Sequence, residues 1–213
     1  TSVLRENVEE LNGLIQEILD FRKAEDAGFS HTHIRRVSVS SLLRTQFEWF
    51  YPLSEQHQIQ FKIDAPKELY WNTDSVYFKK ILANLISNAF KYTEDGGTVR
   101  ISLHEEENFL VLKVYNTGKG IEEADMQNIF DRYRILGTMD NDDNRQNTTR
   151  NGLGLFICHS LVQSLGGKIN IESEVGQYAE FTVTLPFGIV EETSDNTIDE
   201  EIPVSLPSPN TDI

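Results

Sequence analysis

The chain is short of positive charge, of thiols and of long apolar runs, and each shortage removes a class of protein. With 19 Lys+Arg against 34 Asp+Glu the formal charge is -15. Nucleic-acid phosphates are held by concentrated positive charge, so direct nucleic-acid binding is not expected. The single cysteine, Cys158, has no partner for an internal disulfide. It lies in the apolar run 155–162, where a thiol acts as a small hydrophobe, and this usage suits a reducing compartment. No stretch approaches the roughly 18 apolar residues of a membrane span, and the N-terminus lacks the layout of a signal peptide. The chain as written therefore reads as soluble.

What is present suits one folded domain with appendages, since 38% of the 213 residues are hydrophobic. From Glu191 onward the composition is acidic, contains proline and is poor in large apolar side chains, which marks 189–213 as a solvated linker or tail. At the other end, Leu4, Val8, Leu11, Ile15 and Ile18 follow one another at alternating steps of four and three. That seam predicts a helix within 1–29 that pairs with other helices or packs on its own domain. A chain that opens inside a helix reads as a piece of a longer protein.

Between these ends the periods are mixed. Residues 36–39 predict a short strand, with Ser40 or Ser41 capping a helix through Leu43, Phe47 and Phe50 that Pro52 bends or ends. Residues 59–63 alternate as a strand, and 74–92 read as a long helix. Strands are expected over 98–103 and 109–115, joined by the acidic turn 105–108. A helix from Leu153 ends at Gly166 and Gly167, and strands over 168–172 and 180–185 flank Gly176. The economical arrangement is an α+β fold, a two-layer sandwich with helices on one face of a mixed or antiparallel sheet.

Three segments carry chemistry. On the helix 74–92, Asn84, Asn88 and Lys91 share one narrow face, while Phe78, Ile81, Leu82, Leu85 and Ala89 take the opposite arc. Two amides and an ammonium offer oxygen ligands for a hard cation and a point charge for phosphate; alone, they equally describe a solvated polar face. The glycine-rich segment Tyr115-Asn116-Thr117-Gly118-Lys119-Gly120-Ile121 follows a strand, and Asn151-Gly152-Leu153-Gly154-Leu155 opens a helix. Glycine lets backbone approach a ligand, and free N–H groups at a helix start favour phosphate. A lone glycine pair is weak evidence, and three such elements in fixed order within about 80 residues are strong evidence of a site for a phosphate-bearing ligand.

These segments resemble the N box (84–93), G1 box (116–120), F box (129–133) and G2 box (151–155) of the histidine kinase catalytic domain, within the gyrase, chaperone, histidine kinase and MutL (GHKL) ATPases. The resemblance covers about 36–187, including the strand Phe181-Thr182-Val183-Thr184-Leu185-Pro186. It implies a Bergerat-type two-layer α/β sandwich over 30–188, ATP and Mg²⁺ as cofactors, and transfer of the γ-phosphate to a histidine. Hydrolytic relatives usually carry a glutamate base where Asn84 stands, so transfer to a protein is favoured over hydrolysis. Upstream, 7–23 is similar to the second dimerisation helix of sensor kinases, particularly hybrid ones. The family's acceptor histidine lies on the preceding helix, and His31, His33, His57, His104 and His159 lack its setting. A homodimer through the N-terminal helix, a receiver domain as partner and a cytoplasmic catalytic portion of a membrane-anchored parent are implied.

Carried over by position, Asn88 coordinates Mg²⁺ with Asn84 near the metal or its water, Lys91 meets the phosphates and Tyr92 lines the pocket. Gly118 and Gly120, with Ile121, let the chain pass close to the base, and Gly152, Leu153, Gly154 and Leu155 anchor the phosphate end and a lid over 135–150. Arg132, Arg134 or Arg150 adds charge at the γ-phosphate, while Phe130 and Tyr133 steady the lid. One departure stands out: the G1 box normally begins with aspartate, which accepts from the adenine amino group, and here it begins with Asn116. A neutral acceptor is weaker by about 1 kcal/mol, and its added donor makes looser base discrimination the expectation. The rival readings are a degenerate module with little ATP affinity and an anti-sigma-type serine kinase.

Overall fold

The computed structural model describes residues 32–131 and 154–189. The expected heptad helix and acidic tail lie outside them. In chain order the elements are β1 (Arg35–Ser38), α1 (Val39–Gln56), β2 (Gln60–Asp64), β3 (Tyr70–Thr73), α2 (Ser75–Tyr92), β4 (Thr98–Glu106), β5 (Phe109–Thr117), α3 (Glu123–Met126), α4 (Gly154–Ser164), β6 (Lys168–Glu174) and β7 (Tyr178–Pro186). The main sheet runs β2-β4-β5-β7-β6, with β2 parallel to β4 and the other pairs antiparallel. It is mixed, one of the two expected forms.

Period-two alternation decides which face of this sheet is covered. Val99, Ile101 and Leu103 of β4, Leu110, Leu112 and Val114 of β5, and Ala179, Phe181, Val183 and Leu185 of β7 are buried in one core with α1, α2 and α4. The other face is largely polar: Lys113 Nζ lies 3.3 Å from Glu180, and the Arg100 guanidinium sits 4.9 Å from the centroid of the Tyr115 ring. The helices are therefore confined to one side, as the pattern predicts. No helix among the described residues is long and apolar enough to cross a membrane.

Helix α2 is held at its start and along its inner arc. Asp74 is the N-cap: its Oδ1 accepts from the Val76 and Tyr77 N–H groups at 2.8 and 3.1 Å, and its Oδ2 accepts from the His33 N–H at 2.9 Å. Burial, then the Asp74 carboxylate, pushes the Tyr77 phenol above its usual range. Phe78, Ile81, Leu82, Leu85 and Ala89 are buried as expected, and Ile86 and Phe90 widen the apolar arc.

Three local details differ from the pattern read in the sequence. The N-cap of α1 is Ser38, without a side-chain cap bond, in place of Ser40 or Ser41. The Leu69 carbonyl accepts the first helical N–H groups, and the Ser40 hydroxyl is turned to accept from Leu69 N–H at 3.0 Å. Of the two outcomes expected at Pro52, a bend or an end, the end does not occur, since α1 continues to Gln56. Core contacts hold both sides of it: Phe47 stacks on Phe61, Phe50 on Phe90, and Ser54 is buried with its hydroxyl donating to Tyr51 O at 2.6 Å. Sequence reasoning also missed β3, which pairs with β1 in a separate ribbon. Trp71 of β3 donates from Nε1 to Pro186 O at 3.0 Å, and Asn72 exchanges two hydrogen bonds with Gly188, so the end of β7 is tied to this ribbon.

Replacing Asp74 with alanine strands three backbone donors, with an expected loss of about 2–3 kcal/mol. A thermal melt of Asp74→Ala should show Tm lower by about 5–10 °C, with Asp74→Asn intermediate; an unchanged midpoint contradicts the capping role.

Candidate nucleotide site

The outer face of α2 is where the chemistry-bearing side chains emerge. Asn84 and Asn88 are half-buried there and Lys91 is exposed, with Nζ 5.4 Å from the centroid of the Tyr92 ring. They line up because the opposite arc is anchored in the core.

The second wall comes from the end of β5. Its inner-face column Leu110, Leu112, Val114 finishes in Asn116, a buried amide in register with apolar neighbours. Asn116 Nδ2 donates to Thr117 O at 3.2 Å. A carbonyl only accepts, so the amide nitrogen must face it, which leaves Oδ1 as the outward acceptor. No described residue donates to that oxygen. Thr117 is itself fixed, since its hydroxyl accepts from Thr98 N–H at 2.8 Å.

Glycine then closes the gap between the walls. A Cβ on Gly118 would overlap the carbonyl oxygen of Tyr92, the last residue of α2. One on Gly120, where φ is +65°, would overlap the Glu174 carbonyl in the β6–β7 hairpin. Sequence reasoning expected these glycines to pass close to a base; their steric need here is backbone against backbone. Gly154, which opens α4, faces α2 as well, its missing Cβ 3.1 Å from Asn84 Oδ1. Contact with α2 thus occurs at residues 84 and 92, eight positions apart, or about 12 Å along the helix. Asn88 and Lys91 lie between.

Other expected site residues divide plainly. Tyr92 is exposed beside the G1 turn, and Leu155 is half-buried against the core. Ile121 is buried, with its N–H donated to the Ser173 hydroxyl at 2.8 Å. Phe130 stacks on His159, ring centroids 5.2 Å apart, so both pack as expected. Arg132, Tyr133, Arg134, Arg150, Gly152 and Leu153 lie outside the described residues. His57 and His104 make surface contacts with Asp95 and Glu106 at 2.9 and 3.6 Å. Cys158 is fully buried, and burial pushes its thiol far above the usual range, which keeps it neutral. Among the described residues no cluster of three His, Cys, Asp or Glu side chains forms a metal site. Among the described residues, the side-chain amide oxygens on the outer face of α2 belong to Asn84 and Asn88. Ser173 was missed in the sequence; its only signal is a hydroxyl on the inner face of β6 after Ile169 and Ile171.

A two-layer sandwich with an amide-bearing helix between two glycine segments defines a class. Residues 73–189, more than half of the chain, match the family described as histidine kinase-, DNA gyrase B- and HSP90-like ATPases, and the chain belongs to that family. Among curated relatives, the circadian input-output histidine kinase CikA of Synechococcus elongatus is 33% identical over 186 residues, covering 86% of this chain and 24% of CikA. Full-length ShkA, solved in complex with AMPPNP, matches with a TM-score of 0.73 at 26% identity, over 88% of this chain and 38% of ShkA. Histidine kinase ThkA, solved with the response regulator protein TrrA, shares the fold with a TM-score of 0.68 at 21% identity, over 87% of this chain and 50% of that one. The chain spans 16% to 31% of the length of the curated relatives it matches.

The two glycine contacts predict different penalties. Gly118→Ala pushes Cβ into backbone that cannot yield, an expected loss of about 2–3 kcal/mol and a Tm lower by about 5–10 °C. Gly154→Ala meets only a side-chain amide, with an expected loss of under about 1 kcal/mol. Melts showing the reverse order would contradict this packing.

Proposed function

We propose that this chain is the ATP-binding catalytic portion of a sensor histidine kinase, which moves the γ-phosphate of Mg²⁺-ATP to a histidine on a dimerisation domain and thence to an aspartate on a receiver. The observation that carries the reading is the amide face of α2, held against Gly118 at one end and Gly154 at the other. An extended nucleotide fits along that line, base toward Asn116 and phosphates toward Asn84 and the start of α4.

The donor set suits the cofactors. Asn84 and Asn88 supply neutral oxygens of the kind Mg²⁺ accepts alongside phosphate and water. When bound, Mg²⁺ neutralises charge on the phosphates during transfer. Lys91 adds a point charge, and Asn116 Oδ1 accepts from the adenine amino group. With an amide at 84, no carboxylate at that position draws a proton from water, which supports transfer to a protein over hydrolysis. The family match supports ATP binding over a degenerate module. Resemblance to the ThkA pair supports a response regulator as partner, while dimerisation through 1–29 and membrane anchoring of a longer parent complete the proposal.

The Thr117 carbonyl changes the expectation for base choice. With one N–H engaged by the Thr117 carbonyl, the amide is held with Oδ1 outward, an acceptor that matches the adenine amino group and opposes the guanine O6, itself an acceptor. ATP should therefore bind more tightly than GTP by about tenfold, and Asn116→Ala should flatten that ratio. Titration of both nucleotides decides it, and equal affinities in the native chain count against the pinned amide.

Incubated with γ-labelled ATP, this chain should bind nucleotide without labelling itself, whereas a longer chain that includes the preceding helix should become labelled. Asn88→Ala in that longer chain should slow labelling by roughly 100-fold. Labelling of the short chain alone, or an undiminished rate in the variant, argues against the assignment.

A further inference from the structure

The pairing of β5 with β7 ends at Thr117 and Tyr178, immediately before the 118–121 turn. Beyond that point the turn depends on the β6–β7 hairpin. Gly118 N–H donates to Gln177 O at 3.1 Å, and Gly176 N–H donates to Lys119 O at 2.7 Å. Gly120 rests against the Glu174 carbonyl with no room for a side chain.

Ser173 closes this arrangement. It takes the third inner-face position of β6, after Ile169 and Ile171, where period two calls for another aliphatic group. Its hydroxyl accepts from Ile121 N–H at 2.8 Å and donates to Tyr178 O at 2.6 Å. One side chain thus joins the residue that ends the turn to the strand residue paired across from its start. Ile121 is buried, and among the described residues its N–H has no other acceptor. Removing the hydroxyl leaves that donor stranded, and the turn relieves it only by moving.

We propose that Ser173 is a positioning residue for nucleotide binding, its hydroxyl setting the 118–121 turn so that the base end of the cleft is formed before ligand arrives. This rests on the nucleotide reading above. The turn runs between Asn116, which faces the base, and the core residue Ile121, and it touches α2 at Tyr92. A turn free to shift must be ordered by the nucleotide itself, and that ordering is taken from affinity.

The test is calorimetric titration of Mg²⁺ and AMPPNP into the full chain and its variants, with hydrogen exchange at the Ile121 amide read in parallel. Ser173→Ala should raise Kd roughly tenfold and speed Ile121 exchange, while Ser173→Thr, which keeps the hydroxyl on a strand, should restore both to within about twofold. Ser164→Ala is the control: among the described residues its hydroxyl bonds only to Ser160 O, at 2.9 Å near the far end of β6, and its Kd should match the native value. Should the alanine chain fail to fold, Ser173→Cys keeps the volume and weakens both hydrogen bonds, and its Kd should rise in the same direction. Native affinity in Ser173→Ala or Ser173→Cys, an equal loss in Ser164→Ala, or failure of threonine to rescue would each overturn the inference. Absence of binding by the native chain is a separate outcome that removes the nucleotide reading and this inference with it.

Discussion

A missing methyl group brings the two walls of this site together. Gly118 lies against the carbonyl of Tyr92 with no space for a Cβ, so the end of β5 and the end of α2 meet backbone to backbone. Asn116 stands two residues before that contact on one side, and Lys91 one residue before it on the other. The position of α2 is set independently, by the Asp74 cap at its start and the apolar arc from Phe78 to Phe90 along its length. Once both are fixed, the place of Asn84 and Asn88 relative to Asn116 is no longer free. Helix register, sheet register and one glycine fix the relative places of these amides together, and none of them does so alone.

The parts of the fold legible in the sequence are those whose signal is repeated. The arc of α2 recurs over several turns, and the alternation in β4, β5 and β7 recurs over nine residues in each strand. Elements with little repetition were missed or misplaced. β3 has four residues and pairs with β1 far away in the chain, so nothing local announces it. Ser40 carries a capping side chain but spends it on Leu69, because the Leu69 carbonyl had already satisfied the helix start. Pro52 is a helix breaker by local geometry, yet Phe47 and Phe50 dock on Phe61 and Phe90 before it and Ser54 is buried after it. In each case a partner distant in sequence outweighed the local preference.

The site shows the same division. Asn84 and Asn88 were visible as a polar face on a helix, and Asn116 and the glycines as segments at element boundaries, because polar groups and glycines stand out against periodic apolar sequence. Their partners were not visible. Pattern reports which face a side chain occupies; it does not report that Gly120 needs its freedom for Glu174, or that Ser173 answers a backbone donor 52 positions earlier. Such pairings follow from strand order, which the sequence leaves open between several arrangements.

Asn116 illustrates why the partner matters more than the residue type. Judged against an aspartate, an amide is only a weaker acceptor. In its place in this fold it is matched to its neighbour, since the atom 3.2 Å from the Thr117 carbonyl must be a donor. A carboxylate in the same pose would set oxygen against oxygen, and the repulsion would have to be relieved by a bound proton, a water or a shift of the strand end. Thr117 cannot readily give way, because its hydroxyl holds the first amide of β4. The amide therefore does two things that one carboxylate in that orientation cannot: it ties itself to the strand and still turns an acceptor outward. It also carries no titratable proton, so the acceptor it presents is the same at every pH at which the sheet remains folded.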